Sequence, residues 1–547
     1  MASDTQLINH ITGLIGQSKF NDIKELLEPN FEKINKTPQL LNALGVSYIE
    51  SKEYDKAIEV LEKSIRLRSK QATVYNLLGM AYKSKRLNYE AIRLLKKGIS
   101  IDKTFGPLHC NLGLCYMQVG QSALAVETLE KAIKYTDPAD LYQVYSGILF
   151  AKQHDLSATN EEFLELAKKV YELAFAAVPK KIHKARPVGT KIKLGYLSGD
   201  MRQHPVGDFF ANIVLHHNRD EFEIYSYDNK GQTDHVNTII RENSDQFHDI
   251  SRMKDTEVTE LIYAHDLDLL VDLAGITDHN RLPVLAAKPA RLQALWIGYF
   301  GTLGMPEMDY LIGDYNTLEE GDEKWYLEKL YKLPYSYLPG EPWGIEQEIR
   351  ELPCLRNGYI TFGAFNKMPK ITPEVLTVWA EILKEVPDSK ILFKNTCLSE
   401  NFTCDKLLGF LAEKGIGKDR VILESFSPRQ EFLDRYNEVD ISLDSFPYGG
   451  GVTTVESLTM GVPVVTWHGD RWMCRASSSY LRVLGCDELV ADSLESYVDI
   501  AVALAENIQA LKKYRAELRD KIRSSEINAC NFVKHFETAV KELVERS

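Results

Sequence analysis

No Cys-x-x-Cys pair occurs in this 547-residue chain, and no cluster of cysteine and histidine has the spacing of a zinc site. The eight cysteines, at positions 110, 115, 354, 397, 404, 474, 486 and 530, are scattered and mostly flanked by apolar residues. That usage fits a reducing compartment. An excess of positive charge is also missing: the formal net charge is −13. Non-specific nucleic-acid binding draws on a surplus of Lys and Arg to neutralise phosphates, so nucleic acid is not an expected partner. No apolar run is long enough to span a bilayer. The opening Met-Ala-Ser-Asp-Thr-Gln-Leu lacks the basic stretch and apolar core of a signal peptide. The expectation is a cytoplasmic protein. What remains is ordinary globular material, 44% hydrophobic and 26% charged. The chain is too long for one core, and about three domains are expected.

The N-terminal third repeats itself. Gly45, Gly79 and Gly113 stand 34 residues apart. Tyr48, Tyr82 and Tyr116 keep the step, as do Ala57, Ala91 and Ala125, then Leu61, Leu95 and Leu129, then Ile65, Ile99 and Ile133. This period and pattern resemble tetratricopeptide repeats, each a pair of antiparallel helices. The small residues sit where two helices of a unit approach, and units stack because none buries its apolar face alone. Ile11, Leu14 and Leu27 mark a degenerate first unit, and Gly147 with Phe150 begins a fourth. A concave repeat surface takes a peptide or protein; its other use is structural, including pairing with a second copy. The array is expected over 1–152. A helical linker follows over 153–188, where Val178–Thr190 carries two prolines, a glycine and five basic residues.

From Lys191 short β-rich runs alternate with amphipathic segments, the mark of parallel sheets covered by helices. Strands are expected at Ile192–Ser198, Phe222–Asp228, Leu267–Leu273 and Leu292–Ile297. The rhythm restarts beyond about 350, with strands at Tyr359–Phe365, Lys390–Phe393, Arg420–Leu423, Val439–Leu443 and Val462–Thr466. Two halves result, 189–350 and 351–547, the second ending in helices. Between its last two expected strands lies Asp444-Ser-Phe-Pro-Tyr-Gly-Gly-Gly-Val-Thr-Thr-Val-Glu456. A glycine turn at Gly449, Gly450 and Gly451 opening a helix is a nest for anions, because first-turn N–H groups have no internal partner. Thr453 and Thr454 add hydroxyls, and Glu456, one turn on, suits a ribose hydroxyl.

The motifs then become specific. Leu194-Gly-Tyr-Leu-Ser-Gly-Asp-Met-Arg-Gln-His-Pro-Val-Gly207, Lys288–Gly304, Met308-Asp-Tyr, Phe365-Asn-Lys-Met-Pro-Lys-Ile371, Leu443-Asp-Ser-Phe-Pro-Tyr448, and Arg475 with Leu484-Gly-Cys resemble, in order and spacing, the O-linked N-acetylglucosamine transferases and SPINDLY proteins. The resemblance runs from about residue 150 to the end. It implies an α + α/β fold: a tetratricopeptide-repeat solenoid followed by a two-domain GT-B glycosyltransferase, two Rossmann-like halves with a cleft between them. It implies an inverting, metal-independent transfer of a sugar from a nucleotide donor to a polypeptide hydroxyl. Such transfer needs charge neutralisation on the leaving diphosphate, a cradle for the nucleotide and a poised hydroxyl. No Asp-x-Asp triplet suggests a metal for the first task, and no cofactor is expected. Lys370 matches the family's diphosphate-contacting lysine, with the helix start at Thr453 and Thr454 a second positive source and Arg475 a third. Asn366 belongs to the same donor group, and Gly301 and Thr302 to a loop facing the diphosphate from the first half. His204 matches a histidine of the family's active site, either a base or a loop brace. Asp200, Pro205, Asp208 and His279 fall on the acceptor side.

The departures bear on the donor. Animal N-acetylglucosamine enzymes carry Asn-Gly-His-Thr-Thr at the nest, where this chain has Gly-Gly-Gly-Val-Thr-Thr. Lys367 stands for a glutamine and Phe300 for a proline. UDP-N-acetylglucosamine is the first donor expected. The alternative is GDP-fucose, as in SPINDLY proteins, or another nucleotide sugar, with bacterial flagellin as one acceptor. Two other classes stay open: a repeat scaffold that no longer turns over, and a nucleotide-sugar epimerase.

Overall fold

The computed structural model describes residues 2–184, 190–341 and 344–546. It divides into two compact units. The first runs to Lys152 and includes Thr396–Leu407; the second comprises Gln153–Asn395 and the chain from Leu408 on. The expected domain boundary at 188/189 lies outside the described residues.

In the first unit the 34-residue period becomes helix pairs: Pro38–Glu50 with Tyr54–Leu67, Ala72–Ser84 with Asn88–Ile101, and Gly106–Gln118 with Ser122–Ile133. The reason for the in-phase glycines is steric. A Cβ on Gly45, Gly79 or Gly113 would lie 2.6, 2.5 or 2.6 Å from the side chain of Leu61, Leu95 or Leu129, the in-phase leucine of the partner helix. Ala57, Ala91 and Ala125 are fully buried beside them. Ile11 and Leu27 of the degenerate first unit are buried, and Leu14 packs against the same core. Helix Leu141–Lys152 begins the fourth pair, but the next helix, Asn160–Ala174, belongs to the second unit. Residues 396–407, expected in the C-terminal half, join the repeats. The Glu400 carboxylate accepts from the Tyr89 (3.1 Å) and Glu90 (3.4 Å) N–H groups, in the first turn of Asn88–Ile101. That is where a helix dipole favours an anion. The Phe402 ring lies 4.8 Å from Tyr89.

The second unit holds two all-parallel sheets. In the first, β1 is Ile192–Ser198, β2 Phe222–Asp228, β3 Gln246–Asp249, β4 Leu269–Asp272, β5 Leu292–Leu295, β6 Tyr310–Asp314 and β7 Lys329–Leu333. Their order is β3-β2-β1-β4-β5-β6-β7. In the second, β8 is Thr361–Ala364, β9 Lys390–Lys394, β10 Val421–Glu424, β11 Ile441–Leu443, β12 Val464–Trp467 and β13 Val490–Ala491, in the order β10-β9-β8-β11-β12-β13. Each order reverses once, between β1 and β4 and between β8 and β11. Loops splay apart at such a point and leave a crevice beyond the strands' carboxyl ends. The central strands are buried on both faces, as parallel strands covered by helices must be. The last helix, Ala529–Glu545, returns to the first half. There Glu537 accepts from Asn218 N–H at 2.7 Å and pairs with His217 at 3.0 Å. Among the described residues no helix is long and apolar enough to cross a membrane.

Candidate active site

Part of the expected set lies at the two crevices: Asp200, His204, Pro205, Asp208 and His279 at the first, Asn366, Lys370 and the glycine turn at the second. At the first, β1 ends at Ser198 and the chain turns through Gly199 and Asp200 into helix Pro205–His216. Gly199 is required because a Cβ there would lie 2.4 Å from the Cβ of His279, on the loop after β4. Pro205 opens the helix and needs no N–H there. His204 is its N-cap: Val206 N–H lies 3.4 Å from Nδ1, and an Asp200 carboxylate oxygen also lies 3.4 Å from Nδ1. The ring thus turns Nδ1 toward its own loop, and because Nδ1 accepts, the neutral ring carries its hydrogen on Nε2. Burial, reinforced by the charges of Lys367 and Arg202, pulls the imidazole down to about 3, so it is neutral. Burial raises the Asp200 carboxyl, against the pull of Arg202, His279 and Lys367. Burial likewise lowers His279, beside Lys230.

At the second crevice Asn366, after β8, meets the nest after β11. Asn366 donates to Asp444 Oδ1 (3.1 Å) and Ser445 Oγ (2.7 Å), and its carbonyl oxygen accepts from Thr453 Oγ1 (2.7 Å). Lys370 donates to the Gly449 carbonyl at 2.6 Å, and its ammonium lies 3.9 Å from the Tyr448 ring centre. Burial lowers its pKa to about 8, opposed by the Asp444 carboxylate. The nest is tighter than its sequence implies. Gly450 N–H donates to Asp444 Oδ1 at 2.7 Å and Gly449 N–H to the Met473 carbonyl at 2.9 Å. The N–H groups left for an anion are therefore those that start helix Val452–Thr459. A Cβ on Gly450 would lie 2.2 Å from Thr454 Oγ1, which is why that glycine is needed.

Several assignments change. Arg475 is not a free cation: it is buried, paired with Asp322 (2.6 Å) and Glu319 (3.0 Å), and donates to the Gly469 carbonyl (2.9 Å). Its pattern is that of an ion pair joining the halves, since Glu319 and Asp322 lie between β6 and β7. Thr454 faces inward to Ser477 at 2.7 Å, so Thr453 alone of the two threonines stands at the mouth. Thr302 braces its own loop, accepting from Gly304 (3.0 Å) and Leu327 (3.3 Å) N–H groups. Beside it a Cβ on Gly301 would lie 2.6 Å from Tyr299 Oη. The Glu456 carboxylate is held by Arg429 and by Tyr436 Oη at 3.3 Å. The Asp-x-Asp triplet Asp266-Leu-Asp268 precedes β4, at the end remote from the crevice, and both carboxylates pair with Arg291.

Arg429, not expected from sequence, and Phe300, noted there only as a departure, complete the cleft. Arg429, after β10, pairs with Glu456 on one side and lies 3.9 Å from Asp208 on the other. Burial pushes Asp208 up to about 7, with Arg429 opposing and Glu456 and Asp234 adding to the rise. Phe300 stands at ring-centre distances of 5.5 Å from Tyr337, 5.5 Å from Trp472 and 6.1 Å from Tyr448. The departure from proline at 300 therefore builds an aromatic wall next to Lys370. The visible signal was the pairing of this unusual phenylalanine with Phe-Pro-Tyr448.

Two parallel Rossmann-like sheets whose switch points face one cleft define the GT-B class of nucleotide-sugar glycosyltransferases. The glycosyl transferase family 41 model matches residues 164–355 and 342–536, and the chain belongs to that family. Tetratricopeptide models match 45–85, 72–105 and 106–137. A solved mutant of Thermobaculum terrenum O-GlcNAc transferase superposes with a TM-score of 0.86 at 30% identity, over 93% of this chain and 97% of that one. A protein named probable UDP-N-acetylglucosamine–peptide N-acetylglucosaminyltransferase SPINDLY is 32% identical in Solanum lycopersicum and 35% in Oryza sativa subsp. japonica. Each alignment covers 64% of this chain and 39% of the relative, so the chain spans about two-fifths of the length of those relatives.

Proposed function

We propose that this chain transfers a sugar from a nucleotide donor to Ser or Thr hydroxyls of polypeptides, with inversion at the anomeric carbon. One observation supports it: the two halves meet across the cleft through Arg429, which pairs with Glu456 of the nest helix and lies 3.9 Å from Asp208 of the His204 helix, while the charge of Lys367, next to Asn366, reaches the His204 ring. In this reading the acceptor oxygen bonds to the anomeric carbon as that carbon's bond to the β-phosphate oxygen breaks. The electron pair leaves on the nucleoside diphosphate, where Lys370 and the helix dipole meet the developing charge. His204 orients the hydroxyl. A neutral imidazole with a pKa of about 3 is a weak base, and its Nδ1 already accepts from Val206 N–H, so the hydroxyl proton leaves late, for an oxygen of the departing diphosphate. Asn366 and Thr453 hold the cradle, and Glu456, paired with Arg429 and Tyr436, braces the helix that carries it. The acceptor polypeptide binds along the repeat array.

UDP-N-acetylglucosamine is the first donor, in keeping with the names of the similar proteins. The nest without histidine, Gly449–Thr454, and Lys367 favour GDP-fucose as a second reading. Incubation of the purified chain and a cell lysate with a panel of UDP and GDP sugars, read by intact-protein mass, tests both. Mass increments matching one sugar on Ser or Thr are expected. No increment with any donor contradicts the proposal and favours a non-catalytic scaffold.

A further inference from the structure

Tyr337 lies in the crossover between the halves and is fully buried. Its backbone is fixed on both sides, N–H to Asp314 at 2.7 Å and C=O from Trp296 Nε1 at 2.8 Å. The ring is held edge-on against Phe300 and Trp472 at 5.5 and 5.8 Å. With so much to fix the ring, the hydroxyl stands out: among the described residues it has no hydrogen-bond partner. A buried hydroxyl without a partner forfeits the hydrogen bonds it made to water, so a phenylalanine would serve packing better. The hydroxyl points at the nest. A Cβ built on Gly451 would meet nothing within 4 Å except Tyr337 Oη, at 4.0 Å. Gly451 is the N-cap of helix Val452–Thr459, whose first N–H groups have no intrahelical acceptor. A slot therefore opens between an unsatisfied O–H and an unsatisfied helix start, walled by aromatic rings. Burial holds the phenol well above its usual pKa, so it remains a donor at any working pH.

We infer that the Tyr337 hydroxyl donates a hydrogen bond to a β-phosphate oxygen of the donor seated on the Gly451–Thr453 helix start, making it a further binding residue for the leaving group. Donors from two sides then converge on one oxygen in a water-poor pocket, where such a bond is strongest. The inference rests on the proposed nucleotide-sugar site.

The test is calorimetric titration of UDP, GDP, UMP and GMP into wild type, Tyr337→Phe and Lys370→Ala. The ring and its packing survive in Tyr337→Phe. Its melting temperature should equal or exceed wild type, and its Kd for the preferred diphosphate should rise about tenfold. The monophosphate should bind as to wild type. Unchanged diphosphate affinity in Tyr337→Phe, with Lys370→Ala weakened, overturns the inference and leaves the site reading standing. An equal loss for mono- and diphosphate also overturns it, because the hydroxyl would then serve another part of the ligand. No nucleotide binding by wild type overturns both.

Discussion

Lys370 shows how much one side chain's surroundings decide. In the open a lysine is a solvated charge; here burial brings its pKa to about 8 while the Gly449 carbonyl and the Tyr448 ring hold the ammonium. The charged form is disfavoured in the fold, so this lysine opposes folding below a pH of about 8. That cost is relieved as pH rises toward the lysine's ordinary 10.5. Diphosphate binding has the opposite sign, because it needs the charge. Affinity for UDP or GDP should hold below a pH of about 8 and fall above it, by up to about tenfold per pH unit. Titration calorimetry across that range checks this, and Lys370→Arg should remove the break. A flat profile for wild type would show that Lys370 does not meet the phosphates. Sequence made Lys370, His204 and Asn366 visible because each sits in a motif directly after a strand. Arg429 and Tyr337 stayed hidden because their roles come from partners 23 or more residues away, as with Asp314 under Tyr337 and Glu456 beside Arg429.

At the scale of elements, pattern predicts best where one local rule acts alone. The repeat helices follow from a 34-residue period, and β1 and β2 match their expected bounds because each is a seven-residue run rich in aliphatic and aromatic residues. β3, β6, β7 and β13 fall outside the expected strands: β3, β7 and β13 lie at sheet edges, and β6, Tyr310–Asp314, follows β5 with no helix between them to mark the α/β rhythm. Residues 396–407 were placed with the wrong neighbours because Glu400's partners are the backbone of Tyr89 and Glu90, more than 300 residues away. The glycine steric rule yields a paired test. Gly79→Ala forces a methyl group to 2.5 Å from Leu95 and should destabilise by about 1–3 kcal/mol. Gly409→Ala, in helix Asn401–Glu413 with nothing within 4 Å, should be neutral or stabilising by about 0.5–1 kcal/mol. Denaturant melts read both. Equal effects of the two would mean that helix propensity, not helix contact, fixes the repeat glycines.

Over the whole second unit, the cleft is built by charges that cross it. Arg475 ties helix Trp472–Val483 of one half to Asp322 and Glu319 of the other. Arg429 stands between Glu456 and Asp208 in the same way, nearer the mouth. Removing Arg475 leaves Asp322 uncompensated at a buried junction, so Arg475→Met should cost about 3 kcal/mol and lower the melting temperature. A loss of nucleotide affinity without loss of stability would instead return Arg475 to the phosphates. We propose that Lys370 and the Val452–Thr453 helix start receive the donor diphosphate on the face opposite His204. The most direct measurement is sugar transfer by wild type and Lys370→Ala, side by side, to a lysate acceptor with the preferred nucleotide sugar. Ser- or Thr-linked sugar is expected from wild type and none from a folded Lys370→Ala. Equal transfer by the two would contradict the proposal.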